Sequence, residues 1–429
     1  MRAAALAIEA LEAGHRFDAA LHSATRNFSA ASRAASRDMA SAAARQLGTC
    51  RALSALLSQR PPALPVAALQ WLALSQLIAP RRRAATIVDQ AVSAARADLR
   101  TAAAASFLNA TLRTFERDSV RLLERAREQP EGRWNYPQWW IDVLSEQEPG
   151  AWQEVLAAGD LHPPLTLRIN RRRSSVNAYL QGLAGQARQA QQVGESAVVV
   201  SPACPVDELP GWHEGLVSVQ DEGAQRAALW LDVADGHRVL DACAAPGGKS
   251  AHLLEIAHLQ LTSLEIDPTR LEQMRLGLER LGLAARLICG DAARPRQWWD
   301  GERFDRILVD APCSASGIVR RAPDARWLRR RSDLATFART QRRILEGLWP
   351  LLLPGGKLLY VTCSVFDAEG RDVARSFLDA HAEAFEIALP GSSVGARPRP
   401  GPGLQLLPVS EPARNHDGFY YCLIGKRQP

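Results

Sequence analysis

Lysine is almost missing from this chain, which has three lysines against 49 arginines in 429 residues. Nucleotide composition could cause that exchange, but it would not create net positive charge. Residues 1–130 nevertheless hold 18 Arg and no Lys against 10 Asp and Glu, a balance of +8 within a chain whose total is +6. A basic N-terminal module beside a nearly neutral larger part fits nucleic-acid contact.

No apolar run approaches the ~18 residues of a membrane span. Glu9 and Glu12 interrupt the only stretch resembling a signal peptide. That stretch reads as an amphipathic helix, and the protein as cytoplasmic. The seven cysteines (Cys50, Cys204, Cys243, Cys289, Cys313, Cys363 and Cys422) are odd in number and scattered, with no CxxC and no Cys/His cluster. Neither a disulfide framework nor a metal site is therefore expected. Internal repeats are absent too.

With 47% apolar residues there is ample core, and the length fits two or three domains. Residues 1–130 are rich in Ala, Leu and Arg, with apolar recurrence at i, i+3, i+4 in "LPVAALQWLALSQLI" and "TIVDQAVSAARADL" and breaks at "RPPALP" and "APRRR". They predict a helical bundle. Residues 131–235 form a linking region, with a helix opening in "NYPQWWIDVL" and strand-like "PPLTLRINRRR" and "ESAVVVS". From 236 to 429 strands alternate with helices, which predicts a doubly wound, largely parallel α/β sheet closed by paired late strands. The Pro/Gly stretch 390–403 reads as a mobile loop.

Ligands of such sheets bind at the carboxyl ends of the strands. In chain order those ends carry Asp241 with "CAAPGGK", Glu265, Asp291, Asp310 with "APC", and Cys363 in "TCS". "GGKS" is not a phosphate loop, because Cys243 stands where glycine is required, and GxGxxG is also missing. The small-residue loop Cys243, Ala244, Ala245, Pro246, Gly247, Gly248 and Lys249 still lets backbone N–H groups approach a ligand. Glu265 stands where a carboxylate grips ribose hydroxyls, and Asp291 where one accepts from an adenine amino group. Adenine and ribose without phosphate point to S-adenosyl-L-methionine. Lys249 keeps an ammonium where arginine is the rule, which suggests a compact charge near cofactor or substrate. Two thiols at strand ends admit either as nucleophile, and chemistry alone leaves their roles open.

"DACAAPGGKS", "LEID", "GDAA", "DAPCSASGIVRRAPD" and "VTCS" together resemble, in order, the motifs of RNA cytosine-C5 methyltransferases, and "VSVQDEGAQ" their catalytic lead-in. More narrowly, the chain is similar to members that modify bacterial 16S ribosomal RNA, whose N-terminal part is a NusB-type RNA-binding domain. The resemblance implies a helical NusB-like bundle ahead of a Rossmann-like methyltransferase domain, S-adenosyl-L-methionine as cofactor, and RNA as partner to a monomer without metal or membrane. It makes Cys363 the nucleophile, with Cys313 assisting product release and Asp310 contacting the cytosine edge and the cofactor. Transfer RNA is the rival substrate, and a non-catalytic RNA-binding or antitermination-type factor the rival class. Two departures are visible: Gly370 follows Glu369 where Asn is usual, and Ser316 replaces Thr. In "RRAPDARWLRRR", Arg320, Arg321, Arg326, Arg329 and Arg330 predict a phosphate-gripping edge beside Trp327, or else a solvated basic helix end.

Overall fold

The computed structural model describes residues 1–184, 188–389, 399–411 and 414–428. The expected loop at 390–403 therefore falls largely outside the described residues. The chain divides into two compact units, Met1–Leu161 with Val319–Arg331, and His162–Ile318 with Ser332–Pro429.

The first unit is helical. Ser29 caps the helix Ala30–Arg45 by accepting from the Ser32 N–H, and Pro65 sits in the opening turn of Leu64–Ile78, where a missing N–H costs nothing. Leu64–Ile78 is apolar around most of its circumference and lies in the interior. Small side chains such as Ala4, Ala7, Ala40, Ala43 and Ala44 share one core with Leu47, Leu69, Leu72 and Leu108.

This unit does not stop at residue 130. A Cβ on Gly48 would come within 2.1 Å of the Glu131 carbonyl oxygen, so the helix Leu47–Leu57 lies directly against backbone beyond the expected boundary. Thr49 donates to the Gly132 carbonyl at 2.7 Å and its N–H reaches Asn135 Oδ1 at 2.9 Å. Buried Tyr136, Trp140 and Leu144 continue the apolar interior. Composition changes near 130, but packing does not.

In the second unit a small antiparallel sheet comes first: β1 (Leu165–Ile169), β2 (Gln189–Gln192), β3 (Ala197–Ser201) and β4 (Val217–Val219), in the order β2-β3-β1-β4. β2 is polar, and the sequence gives no alternation there. Its pairing with β3, Gln189 opposite Ser201, makes it a strand.

The large sheet contains β5 (Arg238–Ala242), β6 (Gln260–Glu265), β7 (Arg286–Cys289), β8 (Phe304–Asp310), β9 (Leu352–Thr362), β10 (Ala384–Ile387) and β11 (Leu404–Leu406). After the hairpin β12 (Val409–Glu411) and β13 (Arg414–His416), β14 (Phe419–Lys426) returns to it. The order is β10-β14-β9-β8-β5-β6-β7, with β11 paired to β14. β5 to β9 run parallel, and β14 is antiparallel to β9. This is the Rossmann-like, doubly wound sheet that the alternating pattern predicts.

Successive residues of the central strands face opposite cores. Ile307, Val309, Leu358 and Tyr360 join one cluster, while Leu308, Leu359 and Val361 join the other. Burial on both faces is why these strands read as continuous apolar runs. After β5 the chain builds β6 and β7 on one side, then crosses to β8 on the other. The order reverses between β5 and β8, and ligands bind at such a crevice.

Candidate active site

The strand ends at this reversal hold the expected residues. Asp241, next to last in β5 and fully buried, accepts from Ser250 Oγ at 2.5 Å. Its Oδ1 has no hydrogen-bond partner among the described residues. Burial pushes its carboxyl up to about 7, against the pull of the Ser250 hydrogen bond.

The loop after β5 is held in an uncommon shape. Cys243 has φ 61° and Gly247 φ 93°. A Cβ on Gly247 would also fall 2.7 Å from Met274 Cγ, so glycine is needed there for both backbone and packing. Ala244 N–H donates to the Leu264 carbonyl at 2.9 Å, and Ala245 N–H to Glu265 Oε2 at 3.2 Å. The helix Gly248–Ile256 follows and carries Lys249. Burial, with Asp310 and Glu265 nearby, pushes the Cys243 thiol up, which suits packing rather than reaction.

Glu265, buried at the end of β6, also accepts from Asp267 N–H at 3.1 Å and lies 3.3 Å from Arg270 Nη1. A carboxylate offers about four acceptor directions, so capacity remains for a hydroxyl. Asp291 follows β7, accepts from Ala293 N–H at 2.9 Å and remains partly exposed. Two carboxylates at neighbouring strand ends, beside a loop with two glycines, fit an adenosine group.

At the end of β8, Asp310 Oδ2 lies 2.6 Å from Lys249 Nζ. Burial pulls the Lys249 ammonium down, but the Asp310 charge and hydrogen bond together outweigh it and hold the group above its ordinary value. The ammonium also stands 5.7 Å from the centre of the Phe419 ring.

The two thiols meet. Cys313 Sγ and Cys363 Sγ are 3.3 Å apart. β8 and β9 are parallel neighbours with Asp310 opposite Val361, so the residues just past both ends share one rim. The hydrogen bond to Cys363, then burial, drive the Cys313 thiol well above its ordinary range. Cys313 therefore holds its proton tightly, and either sulfur can donate to the other.

Val319–Arg331 belongs to the helical unit. Arg320 and Arg326 are buried, which corrects the expectation that they grip phosphate. Arg326 donates to the carbonyls of Asn135 at 3.1 Å and Gly159 at 2.7 Å, pairs with Asp160 and lies over the Tyr136 ring. Trp327 donates to the Ala44 carbonyl at 2.7 Å under the Arg51 guanidinium, so it packs. Arg321 and Arg329 are half-buried, and Arg330 is exposed.

Some structural contributors had little sequence signal. Arg168 in β1 is fully buried, with a bidentate contact to Glu255 at 2.8 and 2.7 Å and another to the Gly248 carbonyl at 2.7 Å. It thereby braces the helix carrying Lys249. Gln341, on the long helix Arg331–Leu348, donates to the Pro312 carbonyl at 2.9 Å. The contacts of both residues depend on chain folding that local periodicity does not encode. Among the described residues no helix is long and apolar enough to cross a membrane, and no cluster of His, Cys, Asp and Glu would hold a metal ion.

A family model described as 16S rRNA methyltransferase RsmB/F matches residues 228–424, and one described as an RsmF/B-like ferredoxin-like domain matches 136–207. Ribosomal RNA small subunit methyltransferase B of Vibrio cholerae is 38% identical over 99% of this chain and 96% of its own length. Its counterpart in Pseudomonas syringae pv. tomato is 40% identical over 92% of this chain and 89% of its own. The crystal structure of PH0851 shares the fold with a TM-score of 0.78 at 21% identity, covering 99% of this chain and 98% of that one.

Proposed function

The chain belongs to the RsmB/F family of 16S rRNA methyltransferases, and from that premise we propose that it methylates C5 of a specific cytosine in 16S ribosomal RNA through a covalent bond from Cys363 to C6. The observation that carries this reading is the pair of thiols 3.3 Å apart beside the Lys249–Asp310 pair. A methyltransferase acting on an exocyclic amine needs no thiol, whereas C5 of cytosine is too weak a nucleophile unaided.

S-adenosyl-L-methionine supplies an electrophilic methyl group when bound, and the Cys243–Lys249 loop, Glu265, Asp291 and Asp310 would hold it. Cys363 adds as thiolate to C6, and the electron pair moves through the ring to make C5 nucleophilic. Asp310 accepts from the exocyclic amino group of the base. Lys249 brings positive charge toward the ring as negative charge develops there. After methylation, C5 loses its proton, the C5–C6 double bond returns, and the C6–S bond breaks to release Cys363.

Cys313 assists that release. Once Cys363 is bonded to carbon, its charge and hydrogen bond no longer raise the Cys313 thiol, which yields its proton to solvent, and the resulting thiolate accepts the proton leaving C5. The target base must lie in a loop or leave its helix to reach these groups.

Bisulfite sequencing of total RNA from cells with and without the gene tests the reaction and its substrate together. One small-subunit ribosomal cytosine losing protection is the expected result. A lost position in transfer RNA would keep the chemistry and overturn the substrate. No change anywhere would overturn both.

A further inference from the structure

Glu369 lies in the short turn Asp367–Glu369, six residues after Cys363, and is fully buried. Its carboxylate spans both thiol-bearing turns. Oε1 accepts from the Ser314 N–H at 2.7 Å, immediately after Cys313, and Oε2 accepts from Ser364 Oγ at 2.8 Å, immediately after Cys363. Ser364 Oγ in turn receives the Phe366 N–H at 3.1 Å and meets Ser316 Oγ at 2.9 Å, which receives the Val365 N–H at 2.9 Å.

The residue's own backbone extends the clamp. Tyr360 OH contacts the Glu369 carbonyl at 2.7 Å and Gln341 Oε1 at 3.0 Å. Gln341 Nε2 donates to the Pro312 carbonyl at 2.9 Å. Cys313 is thus fixed on both sides: Pro312 is held through Gln341 and Ser314 through Glu369.

Resting on the covalent mechanism above, we propose that Glu369 is the positioning residue of the reaction. By gripping the residue after each cysteine, it sets the separation and aim of the two sulfurs. It touches neither base nor methyl donor. What matters is the reach of its side chain and its two acceptor positions. The local geometry supports this: Ala315 has φ 61°, and a Cβ on Gly317 would fall 2.1 Å from the Gly418 carbonyl oxygen. The Cys313 turn is therefore an uncommon shape that needs external support.

Two conservative substitutions separate reach from charge. E369Q keeps the length, one acceptor for Ser314 and a donor toward Ser364 Oγ, but removes the charge. E369D keeps the charge and is one methylene too short to serve both turns. Steady-state methylation should leave E369Q within a few-fold of the wild type. E369D should lose about 10²-fold in kcat, the usual cost of an ångström-scale misplacement, with KM for RNA and for S-adenosyl-L-methionine little changed. The reverse order, or equal losses in both variants, would overturn positioning by reach. Full activity in E369D would also overturn it.

The same substitutions in a C313A background separate this inference from the mechanism on which it rests. C313A should retain RNA bound to Cys363 in denaturing gels, and C313A/E369D should form that adduct more slowly. Equal adduct rates would overturn the role of Glu369 and leave the mechanism standing. An absence of adduct in C313A alone would instead count against the mechanism.

Discussion

The sulfur atoms of Cys313 and Cys363 approach to 3.3 Å, although the two residues lie on different strand ends and fifty positions apart. Proximity makes their chemistry joint, since a thiol with a partner that close trades its proton with it. C363A is expected to abolish methyl transfer, whereas C313A should transfer one methyl group and then stall with RNA attached. Mass spectrometry of the C313A–RNA product should find the base on the Cys363 peptide. Turnover by C363A would exchange the two roles.

Lys249 and Asp310 make the second relationship with a measurable consequence. The ammonium is held above its ordinary value by Asp310, so the charge it contributes is fully present below the unfolded pKa and is lost only as pH rises through the higher folded value. Lys249 should therefore put no inflection into the pH–rate profile between about pH 6 and 9. K249A is expected to lower kcat by about 10²-fold, in line with removing one stabilising donor. K249R restores charge but not the compact shape, and should recover only part of it. Full activity in both would remove Lys249 from the mechanism.

Asp241 gives stability a pH dependence of the same sign at lower pH. Its folded pKa, about 7, stands above the ordinary carboxylate value because the group is buried. Between pH ~4 and ~7 the unfolded chain has released this proton while the folded one retains it, so this residue's contribution falls as pH rises, and it levels off above. D241N removes the titration. Chemical denaturation of both proteins across that window should show wild-type stability declining relative to D241N. A constant difference would mean that Asp241 is ionised throughout.

Arg326 is a structural cation. Its guanidinium serves two carbonyls and Asp160 inside the helical unit, and removing one partner of a buried pair costs about 3–5 kcal/mol. R326A should thus lower the unfolding free energy by that order. The salt dependence of RNA binding should not change, because no phosphate contact is lost. A shallower slope of log affinity against log salt in R326A would return this residue to the RNA surface.

The sequence legibly carried the parallel sheet, its strand ends and the small-residue loop that follows β5. β8 and β9 are apolar runs because both their faces are covered, and the acids and thiols stand out because they interrupt those runs where ligands bind. Glu369 was visible only as a departure at the next position, Gly370, since nothing local reveals that one carboxylate will bridge two turns. β2 was hidden because a polar edge strand owes its form to its partner.

The arginines mark the limit most clearly. Sequence determines that Arg320 and Arg326 are charged and close to the Cys313 motif, and exposed cations are the ordinary outcome for such residues. Whether a guanidinium faces water or satisfies acceptors in an interior depends on which groups lack partners, and here those are the carbonyls of residues 135 and 159 and the Asp160 carboxylate. Strand periodicity, apolar content and the order of the motifs are local properties, and the sequence settled them alone. The meeting of Cys313 with Cys363, the grip of Glu369 on the residue after each and the burial of Arg326 are long-range pairings that only the tertiary structure decided.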